Sequence, residues 1–165
     1  MSLSDRRKVL AGLGALALTG ACGFRPVYGD GGAGRVLRNA VRADDPVSRR
    51  DYQFLHALEE TLGRPTAPRF ALAYTIAVRE VGRGSVDDFG TTRVQLFGTV
   101  DFTLTDITSG TVLAQDQVLA TGVYSTTGTQ LATATAAEDA DLRLMRMLAD
   151  SLATRLYTEP GIPSA

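Results

Sequence analysis

The chain of 165 residues contains one cysteine and one histidine. Because a disulfide needs two thiols, the single cysteine, Cys22, excludes a disulfide within the chain. His56 has no second histidine or cysteine to share a zinc ion with, so the sequence argues against a metal site and places His56 on a helix surface. Lys8 is the only lysine. Every later cation is therefore arginine, which suits bidentate contacts with phosphate, although genomic base composition also explains this bias.

The sequence also has few of the patterns that enzymes use. It has no Cys–His pair, no plausible Ser-His-Asp set and no phosphate-cradling glycine loop before a helix. Asp87 and Asp88 form an acidic pair in a loop, where a solvated surface is the simpler interpretation. We therefore predict a protein that is not an enzyme and uses no cofactor.

The N-terminal segment is typical of an export signal. Asp5 to Lys8 is a short, net positive block, and Val9 to Leu18 is an apolar run that is too short to span a bilayer. A buried N-terminal helix is the alternative. The signal has a net charge of +2 and the whole chain has −1, which leaves −3 for residues 22–165. That balance argues against a nucleic-acid partner.

Cys22 stands at the exit of this signal, after three small residues. Gly20 and Ala21 resemble the lipobox of bacterial lipoproteins, while Thr19 departs from the leucine usual at its position. The resemblance implies that Cys22 is the lipid attachment point and that acyl chains, including palmitate, hold the domain at a membrane. Arg6-Arg7 also resembles a twin-arginine signal, so the general secretory route and the twin-arginine route both stay open. Gly23 replaces the aspartate that retains lipoproteins at the inner membrane, which favours the outer membrane.

The remaining residues form a single domain by length. We divide the chain into a lipoprotein signal peptide (1–21), a lipidated tether (22–34), one folded domain (35–159) and a tail (160–165).

Hydrophobic periodicity and turn residues predict the elements of that domain. A capping box at Ser48 opens a first helix that Gly63 ends. A second capping box, Thr135 to Glu138, opens the last helix, whose packed face includes Met147. Asp116 interrupts the apolar face of its strand, which favours a bulge or an edge position. The predicted segments are a strand over 34–43, a helix over 48–63, strands over 70–78, 94–104 and 112–124, polar loops over 80–90 and 125–134, and a helix from 135.

This order, β-α-β-β-β-α, predicts an α+β fold. It is a two-layer sandwich in which a four-stranded, mostly antiparallel sheet carries two helices on one face. The other face of the sheet is small and polar, and it is free to meet water or the inside of something larger.

The start of the mature chain, Cys22-Gly23-Phe24-Arg25-Pro26-Val27-Tyr28-Gly29, together with this element order, resembles the LPS-assembly lipoprotein family LptE in its alphaproteobacterial form. The resemblance implies a lipid-anchored protein on the periplasmic side of the outer membrane. It implies that the protein plugs and helps to assemble the LptD barrel and binds lipopolysaccharide during insertion into the outer leaflet.

The resemblance also implies functional contacts for two loops. In the family, basic residues in the loop between the second and third strands contact lipopolysaccharide, which points here to Arg83, with Arg79 and Arg93 at its edges. A solvated loop charge is the competing interpretation of Arg83. The second loop, before the last helix, has no basic residue. We expect Tyr124, at the end of the preceding strand, and Thr126 and Thr127 of this loop to contact the polar interior of the barrel instead.

Two other classes of protein also fit the sequence. One is a structural lipoprotein of another outer-membrane assembly, such as barrel insertion. The other is an accessory lipoprotein of a lipid-transport system, which would need a deep apolar pocket. A hydrolase is a remote third, and it would require Asp87 or Asp88 in a cleft with a partner.

Overall fold

The computed structural model describes residues 32–86 and 90–162, and the side chains of residues 83–91 lie outside this description. Cys22, the signal peptide, most of the tether, Asp87 and Asp88 also fall outside it. In chain order the elements are α1 (Ala33–Leu37), β1 (Val41–Ala43), α2 (Arg49–Leu62), β2 (Phe70–Val86), β3 (Gly90–Asp106), β4 (Val112–Ser125) and α3 (Gln130–Tyr157).

The strands form one sheet in the order β1-β2-β3-β4. β1 runs parallel to β2, and the other neighbours are antiparallel. The helices cover one face of this sheet, where α2 and α3 enclose the core with side chains such as Phe54, Phe70, Leu104 and Leu148. The predicted α+β fold with a four-stranded, mostly antiparallel sheet is confirmed. The opposite face has no helix on it among the described residues, and we call it the open face.

The first long helix forms as its capping residues predict. The Ser48 side chain accepts a hydrogen bond from the backbone N–H of Asp51 at 3.1 Å. At the other end Gly63 has a φ of 81°, a left-handed conformation that glycine adopts without steric cost. His56 lies on the surface of this helix, with Nδ1 3.5 Å from a carboxylate oxygen of Glu60.

The first predicted strand, over 34–43, is wrong for most of its length. Ala33–Leu37 is a helix, and only Val41–Ala43 pairs with β2. Gly34 and Leu37 are buried at helical spacing, and Asn39 then reverses the chain at a φ of 57°, a conformation that asparagine tolerates. α1 therefore begins within the last two positions of the predicted tether.

The predicted loop over 80–90 is also wrong, because β2 continues to Val86 and β3 begins at Gly90. The two strands satisfy each other's backbone groups in register from Phe70–Asp106 to Val86–Gly90. β4 pairs with β3 only as far as Arg93. The β2–β3 hairpin therefore projects beyond β4 as a two-stranded extension, even though its glycines disfavour strands locally.

The last helix begins earlier than the second capping box predicts. Thr129 is its N-cap, and the Thr129 hydroxyl accepts from the Ala132 N–H at 3.3 Å. The alanine-rich residues that follow have high helix propensity, so the predicted loop over 125–134 is shortened. Met147 is 39% exposed, and Met145 fills the core in its place.

Asp116 has a simple role at the edge of the sheet. β4 is an edge strand, and its register with β3 shifts between Leu104 and Thr105. The Asp116 carboxylate lies 2.6 Å from Arg155 Nε on α3, and the hydrogen bond from Arg155 lowers the pKa of Asp116. Asp116 thus interrupts the apolar face of β4 because it pairs with Arg155 on α3. The predicted edge position is confirmed, and an irregularity in the register lies nearby.

Gly98 on β3 lies in close contact with two leucine side chains of α3. A Cβ at this position would lie 2.8 Å from Leu148 Cδ1 and 3.2 Å from Leu144 Cδ2. We expect Gly98→Val to lower the free energy of unfolding by about 1–3 kcal/mol through overpacking, measured by urea denaturation of the full chain. Gly122 on β4 is the matched control, since its Cβ would meet nothing nearer than 3.6 Å. Equal losses for Gly98→Val and Gly122→Val would contradict the close contact.

Tyr74 on β2 makes the stability of the fold depend on pH in the alkaline range. Its hydroxyl is buried without a hydrogen-bond partner among the described residues. Burial, assisted by the charges of Asp51, Asp44 and Asp45, raises the pKa of Tyr74 from 10.0 to about 12. Between these values the unfolded chain loses the proton and the folded chain keeps it, so stability falls as pH rises.

The test compares chemical denaturation at about pH 9 and about pH 11. We expect wild type to lose stability over this interval and Tyr74→Phe to lose less, because phenylalanine has no proton to release. The same slope in both proteins would show that Tyr74 does not carry the effect.

Candidate functional site

The open face near the projecting hairpin combines cationic and apolar side chains. We call it the tip face and define it by Arg79, Arg93, Phe97, Leu119 and Val123. The sheet register brings these positions together from three strands, because Arg79 pairs with Phe97 and Val123 pairs with Gln95, two residues from Phe97 on the same face. All of them occupy odd-numbered positions, which alternate with the core-facing residues on these strands.

Arg79 is held over an aromatic ring. Its guanidinium carbon lies 4.8 Å from the centroid of Phe97, within the range of a cation–π interaction worth about 0.5–1 kcal/mol at an exposed site. Arg79 is exposed, so this contact holds an accessible guanidinium on the open face. Arg93 is exposed on the neighbouring strand. The two arginines thus place two planar donor groups on one surface.

The apolar part of the tip face is exposed to an unusual degree. Leu119 is 65% exposed and Val123 is 48% exposed, and both lie on the edge strand β4. Isolated exposed apolar side chains are normal in proteins. Here Leu119 lies diagonally across from Phe97, and Val123 lies opposite Gln95, between Phe97 and Arg93 in the register, so the surface suits a ligand that carries both anionic groups and hydrocarbon.

The rest of the open face is small and polar. Ala73, Thr75 and Thr103 line a shallow groove that also includes Asp101. The Gln117 amide donates to the Asp101 carboxylate at 2.7 Å and joins β4 to β3 there. This surface is compatible with water or with a polar wall.

The structure divides the residues that the sequence singled out. Arg79 and Arg93 share the tip face. The backbone of Arg83 lies directly opposite Arg93, and the side chain of Arg83 lies outside the description. Cys22 lies outside the described residues altogether.

Tyr124 belongs to the other side of the sheet. It packs against the core beneath the helices, and burial raises its pKa, with smaller contributions from the charges of Glu80 and Asp141. Thr126 and Thr127 close the end of β4 beside Tyr124. The Thr126 N–H donates to the Thr92 carbonyl at 3.1 Å, and the Thr127 hydroxyl lies 2.9 Å from the Ser125 hydroxyl.

Sequence reasoning missed the apolar members of the tip face. Phe97 follows the core residue Leu96, and Leu119 follows the core residue Val118. A strand that has one buried face alternates, so two adjacent apolar residues place one of them on the other face. Those adjacent pairs were the available signal for an apolar patch on the open face.

Residues 32–86 and 90–162 contain no group of three or more His, Cys, Asp or Glu side chains arranged to hold a metal ion. Among the described helices, none has the length and apolar character that crossing a membrane requires.

Comparison with known proteins identifies the fold. No protein-family model matches the sequence, and no curated protein matches it. A candidate lipoprotein of Caulobacter crescentus is similar in structure, with a TM-score of 0.62, 19% identity and coverage of 76% of this chain and 93% of that one. Rare lipoprotein B of Shewanella oneidensis has a TM-score of 0.54, 11% identity and coverage of 71% and 91%.

A minor lipoprotein of Acinetobacter baumannii is also similar, with a TM-score of 0.53, 15% identity and coverage of 76% and 93%. At these identities the likeness concerns the fold. The domain therefore has a fold found in several bacterial lipoproteins, which agrees with the lipobox-like residues before Cys22.

Proposed function

We propose that this protein is an outer-membrane lipoprotein of the LptE type, anchored through Cys22 on the periplasmic side. In this role it plugs the lumen of a large LptD-type barrel, supports assembly of that barrel and binds lipopolysaccharide during its insertion into the outer leaflet. The protein catalyses no reaction in this proposal, and it uses no cofactor. The observation that carries the proposal is the tip face, seen on a fold that rare lipoprotein B shares.

Lipopolysaccharide has the two chemical features that the tip face would recognise. Its lipid A moiety carries phosphates, and guanidinium groups form charge-assisted hydrogen bonds with phosphate that are about twice as strong as neutral ones. Its acyl chains would contact Phe97, Leu119 and Val123. Arg83, opposite Arg93 in the register, would add a third cation at the same end of the sheet.

The polar part of the open face supports the contact with a barrel. The interior of an outer-membrane barrel is polar, and the side chains around the Gln117–Asp101 hydrogen bond are small and hydrophilic. Thr127 is exposed just beyond the end of β4, at the hairpin end of the sheet. Tyr124 is half-buried beneath the helices, so its part in barrel contact would be through its ring edge or hydroxyl.

The accessory lipid-transport alternative would require an enclosed apolar pocket. The groove between β1 and α2 has a volume of about 350 Å³ and a mainly apolar lining, in which Arg42, Asp45 and Glu59 also lie. It is open to solvent, whereas a small-molecule site encloses most of its ligand's surface. The open groove therefore gives the accessory lipid-transport alternative less support than the tip face gives the lipopolysaccharide proposal.

The test is a pull-down of the full-length, lipidated protein from its native outer membrane, followed by mass spectrometry. We expect one large barrel of the lipopolysaccharide translocon to co-purify in stoichiometric amount. Recovery of barrel-insertion components or of an inner-membrane transporter in its place would overturn the proposal and favour one of the alternatives. Metabolic labelling with palmitate tests the anchor separately, and Cys22→Ser should abolish the label.

A further inference from the structure

β4 is a long edge strand of the sheet. It spans 14 residues, Val112–Ser125, and β3 is its only neighbouring strand in the part of the chain that the structure describes. Edge strands are usually short or protected by charged side chains, proline or bulges, because their unpaired backbone groups can bind another strand. From Gln117 to Ser125, β4 contains no charged residue and no proline. The opposite edge differs, since β1 has only three residues and is followed by two aspartates and Pro46.

The backbone hydrogen bonds show which groups of β4 point toward this edge. The Thr126 N–H donates to the Thr92 carbonyl at 3.1 Å, and these two residues continue the register of the β3–β4 pair. In an antiparallel pair, residues whose backbone groups point toward the neighbouring strand alternate with residues whose groups point away. The even-numbered residues of β4 after the register shift therefore bond to β3. The odd-numbered residues direct their N–H and C=O groups to the free edge: Gln117, Leu119, Thr121 and Val123.

A shallow groove lies along the free edge, between β4 and α3. It has a volume of about 510 Å³, and Gln117 lines one side of it while Ser151 and Thr154 line the other. These helix side chains are small, so they leave space for the side chains of one more strand. The start of β4 is less open, because a Cβ on Gly161 would lie 2.6 Å from the Leu113 carbonyl oxygen. The accessible part of the edge therefore begins near Gln117.

The helix above β4 limits what can pair with this edge. α3 packs mainly on β4, where Arg155 bonds to Asp116 and the Ala140 carbonyl lies 3.6 Å from the position of a Cβ on Gly122. Paired strands lie about 4.8 Å apart, whereas the axes of packed helices lie about 8–10 Å apart. If two copies of the chain paired through β4, their α3 helices would be brought too close together. The edge therefore fits a strand that carries no helix on this face.

We propose that the free edge of β4 binds an extended segment of the barrel polypeptide, which adds a fifth strand to the sheet. This inference rests on the proposed function and adds a backbone contact to it. The strands of a closed barrel already pair with one another on both sides. The added segment therefore belongs to a loop or a terminus of the barrel polypeptide that reaches into the lumen, and not to the barrel wall.

The side chains beside the edge define the chemistry of this segment. One row of its side chains would lie next to Leu119 and Val123 on the open face, which favours apolar or β-branched residues. The other row would lie near Ser151 and Thr154 in the groove, which favours small residues. The side chains of Leu119 and Val123 project from the open face, whereas their free backbone groups lie in the plane of the sheet. A fifth strand therefore leaves the tip face accessible to a ligand.

Residue-resolved hydrogen exchange tests this pairing in the full-length, lipidated protein. The protein is measured alone in detergent and in the complex with the barrel, purified from the outer membrane. In the isolated protein, the amides of Leu119 and Thr121 should exchange at least about 100-fold faster than those of Val118 and Ala120, which bond to β3. In the complex, the outward-facing amides should slow by roughly tenfold or more. The amides of Val118 and Ala120 should remain slow in both states.

A proline on the outward-facing side of β4 tests the same contact by substitution. Thr121→Pro removes one free N–H and leaves the bonds to β3 in place, since proline is tolerated where an edge strand faces solvent. Each variant is co-expressed with differently tagged wild type, and the barrel recovered with each is quantified. We expect Thr121→Pro to retain roughly tenfold less barrel than wild type, because an acceptor on the added strand loses its partner.

Thr121→Ala is the matched control, because it removes the same side chain and keeps the N–H. It should retain barrel within about twofold of wild type. Circular dichroism reports whether Thr121→Pro keeps the fold, and if the fold is lost, hydrogen exchange of the wild-type protein decides the question alone. Equal losses of barrel for the two folded variants would overturn the inference.

Two exchange results would also overturn the inference while the proposed function stands. Fast exchange of the outward-facing amides in the complex would show that no strand pairs with β4. Slow exchange of these amides in the isolated protein would show that the chain itself covers the edge or, where the protection depends on protein concentration, that a second copy does. A wild-type protein that recovers no barrel would instead contradict the proposed function, and the inference with it.

Discussion

Replacing both Arg79 and Arg93 with glutamate should lower the affinity for lipopolysaccharide by roughly 100-fold or more. Hydrogen bonds to charged groups contribute about 1.5–3 kcal/mol each, and the double variant removes two guanidinium groups and sets two carboxylates against the phosphates. Binding of the purified, lipidated protein to lipopolysaccharide in detergent, measured by isothermal titration calorimetry, gives the dissociation constants.

The control for this experiment carries the same charge change elsewhere. Arg143 and Arg146 are exposed on α3, away from the tip face, so Arg143→Glu with Arg146→Glu should leave binding within about twofold of wild type, as long-range charge effects are screened. Equal losses in both double variants would show that overall charge, and not the tip face, governs binding. An unchanged affinity in the Arg79 and Arg93 variant would remove the tip face from the proposal.

Substitution of the apolar side chains of the tip face tests their contribution to binding separately from that of the arginines. Leu119→Ser and Val123→Ser should weaken binding of whole lipopolysaccharide and leave binding of a deacylated, phosphorylated fragment unchanged. Both side chains are already exposed, so these substitutions should change stability by no more than about 0.5 kcal/mol. If both ligands respond equally, the acyl chains do not contact this part of the sheet.

The sequence predicts the fold best where burial is one-sided. From Phe70 to Val78, every second residue faces the helices, and this alternation predicts β2 correctly over that range. α2 is predicted equally well, because the Ser48 cap and Gly63 mark its ends with local chemistry. In both elements, the residues that decide the structure lie within the element itself.

The errors occur where the deciding interactions lie outside the segment. The glycines at 82 and 84 indicate a loop, yet pairing with β3 extends β2 through them. The start of α3 is rich in threonine and alanine and has no apolar stripe, so hydrophobic periodicity does not indicate a helix there. The helix is capped by Thr129 and not by Thr135. α1 was too short for its period to be distinguished from that of a strand.

The candidate site was predictable only in part, for a related reason. The arginines are recognisable by charge, and Arg79 and Arg93 do share a face. The exposed Leu119 comes from a strand that is paired with β3 far along the chain, so its place beside Phe97 depends on register. Register is a property of the whole sheet, and no single segment specifies it.

The largest effect on stability is expected at Phe54, the aromatic residue through which α2 packs on the sheet. Phe54 is fully buried, and its ring centroid lies 5.1 Å from that of Tyr74 on β2. Phe54→Ala should lower the free energy of unfolding by about 3–5 kcal/mol, because it removes buried area and leaves a cavity. Urea denaturation of the full chain, followed by circular dichroism, measures the change.

Tyr52 provides the matched control, since it lies two residues earlier on the same helix and is 63% exposed. Tyr52→Ala should change stability by no more than about 0.5 kcal/mol. Comparable losses for the two variants would mean that α2 is stabilised by its own helix propensity and not by packing on β2. A loss confined to Phe54→Ala would instead show that packing of Phe54 on β2 holds α2 against the sheet. Because α2 then covers one face of the sheet, only the open face is available to a ligand or a barrel.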